Sequence, residues 1–220
     1  MTTNTELMGR LSDLKTVNPV KDLLKGLKHQ ERMDKLLVIL LDVSDSMGSC
    51  LGDANVKKID VAWSIFQTQL APNMAGWSYG VLMFGEIAWW VILPTSRTHT
   101  LVSHPTPTVY GSTVMGEALQ MAWAWVKIYA KQARFIVLTD GMPNDLPKDA
   151  ILALAKENAS IPIDCVGIGT GYDYDPDFLR MLSSITGGTF CEAATVKLLT
   201  DTILKLSPAQ RPLLGTVKEK

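Results

Sequence analysis

The chain has 220 residues, with 21 Lys and Arg against 22 Asp and Glu, so its formal net charge is −1. This near-neutral charge gives no electrostatic reason to expect nucleic acid or an anionic membrane as a partner. Hydrophobic residues make up 47% of the chain, which is enough for a sizeable core. No apolar run approaches the ~18 residues that a membrane-spanning helix needs.

The amino-terminal residues and the cysteines bear on where the protein works. Residues 1–10 lack the cationic start and apolar stretch of a secretion signal. The three cysteines, Cys50, Cys165 and Cys191, show no metal-finger spacing, and their odd number favours reduced thiols. We therefore expect a cytoplasmic protein.

The first 33 residues precede the first strand and are predicted to form a helical extension. Leu7, Leu11 and Leu14 share helical spacing, and Pro19 separates them from a second leucine cluster. We expect this extension to pack on the domain. An independent arm that binds a partner is the alternative.

The first predicted strand ends in a cluster of oxygen-bearing side chains. The apolar run Leu36–Leu41 is typical of a buried strand in a parallel sheet, and Asp42-Val43-Ser44-Asp45-Ser46 follows it directly. Open α/β sheets bind their ligands at the carboxyl ends of their strands. Carboxylate and hydroxyl oxygens suit Mg²⁺ or Mn²⁺ rather than zinc. A strand followed by an ordinary polar turn is the simpler alternative.

A helix beginning near Ile59 and ending before Pro72 leads to a pair of closely joined strands. These strands, Trp77–Phe84 and Ile87–Leu93, are separated by only Gly85-Glu86. A connection this short can make a hairpin but not a parallel crossover. The second strand is therefore predicted to run antiparallel at an edge of the sheet.

Two later segments supply further oxygen donors. A long loop, residues 95–112, leads to Thr113 at the start of a helix predicted over 114–129. The strand predicted over 134–139 then ends in Asp140-Gly141, which places a second carboxylate at the carboxyl end of a core strand.

The remaining residues alternate between helices and strands. This alternation predicts an α/β fold with a doubly wound, mostly parallel six-stranded sheet, one antiparallel edge strand and helices on both faces. We place the domain at residues 34–206 and a flexible tail at 207–220. The later elements are predicted as helices over 148–157, 176–185 and 195–206, and as strands over 161–167 and 188–191.

With these motifs in place, the sequence resembles a von Willebrand factor A (vWA) domain of the intracellular type, a Rossmann-like fold, with a metal-ion-dependent adhesion site. The resemblance covers about residues 34–206. One departure is Asp45, where many members of the family have glycine. The residues that match the site are Asp42, Ser44, Ser46, Thr113 and Asp140.

The resemblance implies a role for each of these residues at a bound Mg²⁺ or Mn²⁺. Ser44 and Ser46 would bind the metal directly, and Thr113 would do so in the ligand-occupied form. Asp42 and Asp140 would act mainly through water. A partner's Asp or Glu would then complete the coordination, so the implied function is a metal-dependent protein-interaction module and not an enzyme. The implied partner is a protein such as an AAA+ ATPase or another subunit of a complex.

The alternative is a Mg²⁺-dependent hydrolase or phosphatase with Asp42 at its site. Such enzymes usually offer a second carboxylate two residues after the first and a lysine later in the chain. Here the position two residues after Asp42 is Ser44. No positioned general base stands out in the sequence either.

Overall fold

The computed structural model describes residues 32–74, 76–94 and 105–207. The helical extension predicted for the first 33 residues lies outside these ranges except for Arg32 and Met33. Except for Ser207, the predicted tail also lies outside these ranges. Most of the predicted loop over residues 95–112 lies outside them as well. In the described part, the first strand begins at Met33, one residue ahead of the predicted start of the domain.

Six strands of the described chain form one mixed sheet in the order β3-β2-β1-β4-β5-β6. All neighbours pair parallel except β2 and β3, which pair antiparallel and place β3 at an edge. The predicted fold class, with one antiparallel edge strand, is therefore confirmed. The strands are β1 (Met33–Asp42), β2 (Ser78–Phe84), β3 (Ala88–Ile92), β4 (Ala130–Thr139), β5 (Ile163–Ile168) and β6 (Phe190–Ala193).

The helices connect the strands and cover the sheet. A short 3₁₀ turn, Asp45–Gly48, follows β1. The first helix, α1 (Lys58–Ile65), is continued by a π turn, Phe66–Leu70, and then by a 3₁₀ turn that contains Pro72. Proline lacks an N–H and cannot continue a helix, so the helical segment ends with this 3₁₀ turn. The helices are α1 (Lys58–Ile65), α2 (Met115–Tyr129), α3 (Lys148–Glu157), α4 (Pro176–Ile185) and α5 (Val196–Leu206).

The central strands are apolar on both faces because helices cover each side. Alternate residues of β1, such as Leu37 and Ile39, join one core cluster with α1 and α5. The intervening residues, such as Leu36 and Val38, are also fully buried, on the opposite face. Successive side chains of a strand point to opposite faces, so two buried faces produce the unbroken apolar run seen in the sequence.

Several strand boundaries differ from those predicted, among them those of β4, β5 and β6. β4 begins at Ala130 rather than Arg134, and exposed Lys131 and Gln132 interrupt its apolar pattern. β5 covers Ile163–Ile168 rather than 161–167. β6 begins at Phe190 rather than Gly188, because the Gly188 backbone lies against Ile163, where a Cβ would be 1.9 Å from the carbonyl oxygen.

Candidate metal centre

Parallel pairing of β1 and β4 brings the two predicted carboxylates to one end of the sheet. Leu41 pairs with Leu138, so Asp42, the last residue of β1, and Asp140, which directly follows β4, lie at the carboxyl ends of neighbouring strands. Both residues are fully buried. This geometry agrees with the prediction that the two carboxylates lie at the same end of the sheet.

Each oxygen of Asp42 already accepts a hydrogen bond. The backbone N–H of Ser44 donates to Oδ1 at 2.8 Å, and the Thr139 hydroxyl donates to Oδ2 at 2.5 Å. The Thr139 Oγ1 in turn accepts from the backbone N–H of Gly141 at 3.1 Å. Thr139 therefore ties the end of β1 to the turn that carries Asp140.

The two predicted serine ligands lie side by side next to Asp140. The hydroxyl oxygens of Ser44 and Ser46 are 3.2 Å apart, and the Ser46 hydroxyl donates to Asp140 Oδ1 at 2.7 Å. Ser44 is buried whereas Ser46 is exposed, so the pair opens toward solvent on one side.

Thr113 reaches the same place from the segment before α2. Its hydroxyl lies so close to Gly141 that a Cβ on that glycine would be 2.7 Å from Thr113 Oγ1 and 3.5 Å from Asp42 Oδ2. Gly141 is therefore required for the close approach of Thr113 to the two strand ends. All five side chains predicted as the site converge here, although their role as ligands stays a prediction.

The segment after Asp140 holds the Thr113 segment in place. The backbone N–H of Thr113 donates to the Asn144 side chain at 3.2 Å, and the Asn144 N–H donates to the Thr113 carbonyl at 3.2 Å. The Asp145 carboxylate accepts from the N–H groups of Gly116 and Glu117 at 3.1 and 2.7 Å. These bonds satisfy backbone N–H groups in the first turn of α2 that have no partner within the helix.

Asp45, which stands where many vWA domains have glycine, is an exposed residue of the rim. Its backbone N–H donates to the Gly111 carbonyl at 3.2 Å, and its Oδ1 accepts from the Gly111 N–H at 3.2 Å. The side chain therefore fixes the turn before Thr113 rather than entering the group of five.

Burial dominates the electrostatics of the site. Removal from water and, to a smaller degree, the nearby charge of Asp140 raise the pKa of Asp42 to about 7, against the lowering effect of the hydrogen bonds from Ser44 and Thr139. A cation placed at this end of the sheet would favour the ionised carboxylate.

Sequence reasoning missed a buried lysine at the site. Lys58 begins α1, and its Nζ lies 2.8 Å from Asp140 Oδ2 with only 5% of the side chain exposed. One signal was present, because Lys58 shares a helical face with the buried residues Val61, Ala62 and Ile65. A charged residue in such an apolar face requires a partner.

The donor set fits a small divalent cation. Two neighbouring oxygens around an octahedral Mg²⁺ are about 3 Å apart, given metal–oxygen distances of about 2.0–2.1 Å, and the two serine hydroxyls are 3.2 Å apart. Within the described ranges, no group of three or more His, Cys, Asp or Glu side chains is arranged to hold a metal. A metal here would therefore depend on hydroxyl ligands.

Other candidate residues lie away from these five. Asp175 caps α4 by accepting a hydrogen bond from the Phe178 N–H. Cys50 is exposed, Cys165 is buried and Cys191 is partly buried. Trp89 and Trp90 of the edge strand are both partly buried, and Trp90 packs on Trp125. His99 and His104 lie outside the described residues.

Comparison with known proteins shows which family part of the chain is similar to. Residues 37–142 match the family model described as von Willebrand factor type A domain, a segment that contains all five predicted site residues. No curated protein matches the chain by sequence. In the described part of the chain, no helix is long and apolar enough to cross a membrane.

Solved structures with low sequence identity share the fold. A von Willebrand factor type A structure from Catenulispora acidiphila superposes with a TM-score of 0.62 at 22% identity, covering 80% of this chain but only 43% of that one. The conserved hypothetical protein BatB from Bacteroides thetaiotaomicron gives 0.60 at 17%, covering 77% and 95%. An aerotolerance-related membrane protein from Bacteroides fragilis, mutated to serine at multiple positions, gives 0.58 at 18%, covering 76% and 96%.

Proposed function

Because this chain contains a von Willebrand factor type A domain, a fold that generally serves protein interaction, we propose that it is a metal-dependent protein-binding module. The metal would be Mg²⁺ or Mn²⁺ at a metal-ion-dependent adhesion site made by Asp42, Ser44, Ser46, Thr113 and Asp140. The partner would be a protein that offers an Asp or Glu side chain. The single observation that carries the proposal is the convergence of these five side chains at the ends of β1 and β4.

The arrangement of the side chains suits a cation that keeps an open position. When bound, the metal would supply positive charge and a coordination position for an anionic oxygen. Ser44 and Ser46 offer neutral hydroxyls, whereas both oxygens of Asp42 are already engaged by Ser44 and Thr139. Neutral ligands donate little charge directly, so a partner carboxylate remains attractive to the site.

The near-neutral chain and the fold together favour a protein partner in the cytoplasm over nucleic acid or a membrane surface. Intracellular vWA proteins often work beside AAA+ ATPases or within larger complexes. By analogy with them, an acidic segment of such an ATPase or subunit is the proposed ligand.

A Mg²⁺-dependent hydrolase is the second candidate, and Lys58 is the observation that favours it. A lysine beside a strand-end aspartate is a usual part of phosphatase sites, and Lys58 contacts Asp140. Against this candidate, Asp42 is fully buried and both its oxygens accept hydrogen bonds, which is a poor state for a nucleophile. Turnover of a generic phosphate ester in Mg²⁺ would favour the hydrolase.

The test of the proposed function removes one hydroxyl without changing charge. Thr113→Ala should weaken partner binding by ~1–3 kcal/mol, because one metal-anchored contact is lost, while the melting temperature changes little. The measurement is a pull-down in Mg²⁺, followed by titration of the captured partner against the wild type and the variant.

Ser112→Ala is the matched control, since it removes a hydroxyl from the adjacent residue that contacts Glu86 instead. EDTA should release the partner from the wild type and from this control. A main partner that is retained equally in EDTA and by Thr113→Ala would show that the metal site is not the binding surface.

A further inference from the structure

The ammonium of Lys58 and the hydroxyl of Ser46 donate to opposite oxygens of the Asp140 carboxylate. Lys58 Nζ lies 2.8 Å from Asp140 Oδ2, while the Ser46 hydroxyl donates to Asp140 Oδ1 at 2.7 Å. Asp140 therefore joins a permanent cation on one side to the proposed metal position on the other. Both Lys58 and Asp140 are buried, so water screens this arrangement little.

The surroundings keep the ammonium at this position. A second carboxylate, Asp173, lies 3.7 Å from the Lys58 Nζ, and its side chain is 39% exposed. Asp173 is itself fixed by accepting bonds from the N–H and hydroxyl of Thr170 at 2.8 and 3.1 Å. Gly169, with a φ of +110°, passes so close that a Cβ there would be 3.2 Å from the Nζ.

This geometry changes the charge that a metal would meet. When both are ionised, Asp42 and Asp140 bring two negative charges to the site, and Lys58, which Asp140 shares with Asp173, offsets part of this charge. A second cation placed beside Asp140 would also be repelled by the ammonium in an environment of low effective dielectric. Once a divalent cation is bound, the same ammonium leaves the loaded site with one more positive charge.

We propose that Lys58 is a built-in counter-cation that lowers the affinity of the site for metal alone and makes the loaded site more attractive to an anionic partner group. This inference rests on the proposed metal-dependent function and adds a residue that regulates it. Stable metal binding at such a site depends more strongly on the partner's carboxylate than it would without the lysine.

The experiment is calorimetric titration of Mn²⁺ and Mg²⁺ into the purified full-length protein at pH 8. Lys58→Met keeps the length and the apolar stem of the side chain but removes the charge, and it should bind metal at least about tenfold more tightly. Lys58→Gln should do the same while retaining a hydrogen-bond donor near Asp140, so it replaces Lys58→Met if that variant does not fold. Lys58→Arg keeps the charge and should retain the wild-type affinity.

Lys148→Met is the control for the loss of a lysine elsewhere. Lys148 pairs with Asp175 at the start of α4, so its removal should leave metal affinity unchanged. Equal or weaker metal binding by folded Lys58→Met and Lys58→Gln would overturn the inference and leave the proposed function standing. Absence of metal binding in every variant and in the wild type would overturn both.

Discussion

At the residue scale, a few side chains carry the chemistry and one of them titrates in the physiological range. The proximity of the serine hydroxyls to the two aspartates was predictable, because polar residues at the ends of adjacent parallel strands lie close together. Lys58 was missed, because its contact with Asp140 comes from a helix and not from the end of a neighbouring strand. A contact of that kind depends on the tertiary arrangement of α1 against β4.

Asp42 should make stability depend on pH in the absence of metal. Its pKa is raised from 3.8 to about 7 by burial, so between these values the folded protein holds a proton that the unfolded chain has released. The free energy of unfolding should therefore fall as pH rises from about 4 to about 7, by an amount on the order of 1–4 kcal/mol. Asp42→Asn should flatten this decline, as measured by urea unfolding in EDTA at several pH values.

Asp45→Asn is the control for that experiment, because it changes an exposed carboxylate three residues away. It should leave the decline with pH intact. A slope that is the same in Asp42→Asn and the wild type would show that Asp42 does not hold the proton.

At the scale of elements, a buried ion pair secures the neighbouring strands β4 and β5. Arg134 Nε lies 2.5 Å from Asp164 Oδ2 and its Nη2 lies 3.0 Å from Oδ1, with 7% and 0% of the two side chains exposed. Asp164 also accepts from the backbone N–H of Thr189 at 2.9 Å, which ties in the segment before β6. The pair lies away from the end of the sheet that carries the metal centre.

Arg134→Met should cost roughly 3–5 kcal/mol of stability, because it leaves Asp164 buried without its cation. Lys131→Met, which removes an exposed cation from the same strand and its pair with Asp34, should leave stability almost unchanged, because water screens this pair. The comparison is made from urea unfolding midpoints at constant pH. Similar losses in the two variants would contradict a structural role for the buried pair.

The same strands show where sequence reasoning succeeds and where it fails. The antiparallel edge strand followed from the short connection between β2 and β3, which contains Gly85 and Glu86, a constraint that is purely local. The early start of β4 did not, because exposed Lys131 and Gln132 hide its pairing with β1, in which Ala130 faces Met33. The limits of a strand at the edge of the core depend on its neighbours rather than on its own apolar pattern.

At the scale of the whole molecule, the parallel sheet brings the proposed site residues to one end. Five strands run in the same direction, so the ends of β1 and β4 place Asp42 and Asp140 together, and the turn after β5 places Asp173 near Lys58. The segments before α2 and after β4 then enclose this end by mutual hydrogen bonds between Thr113 and Asn144. The fold brings together residues that are far apart in sequence, and the resulting cluster is the proposed metal centre.

The central claim is that the two serine hydroxyls hold a divalent cation at this end of the sheet. Calorimetric titration of Mn²⁺ into the wild type and into Ser44→Ala with Ser46→Ala tests it most directly. The control is Ser64→Ala with Ser184→Ala, which removes two exposed hydroxyls from helices. We expect binding of one ion per chain by the wild type and the control, and no measurable heat of binding in a folded Ser44→Ala, Ser46→Ala protein. Unchanged binding by that variant would contradict the account.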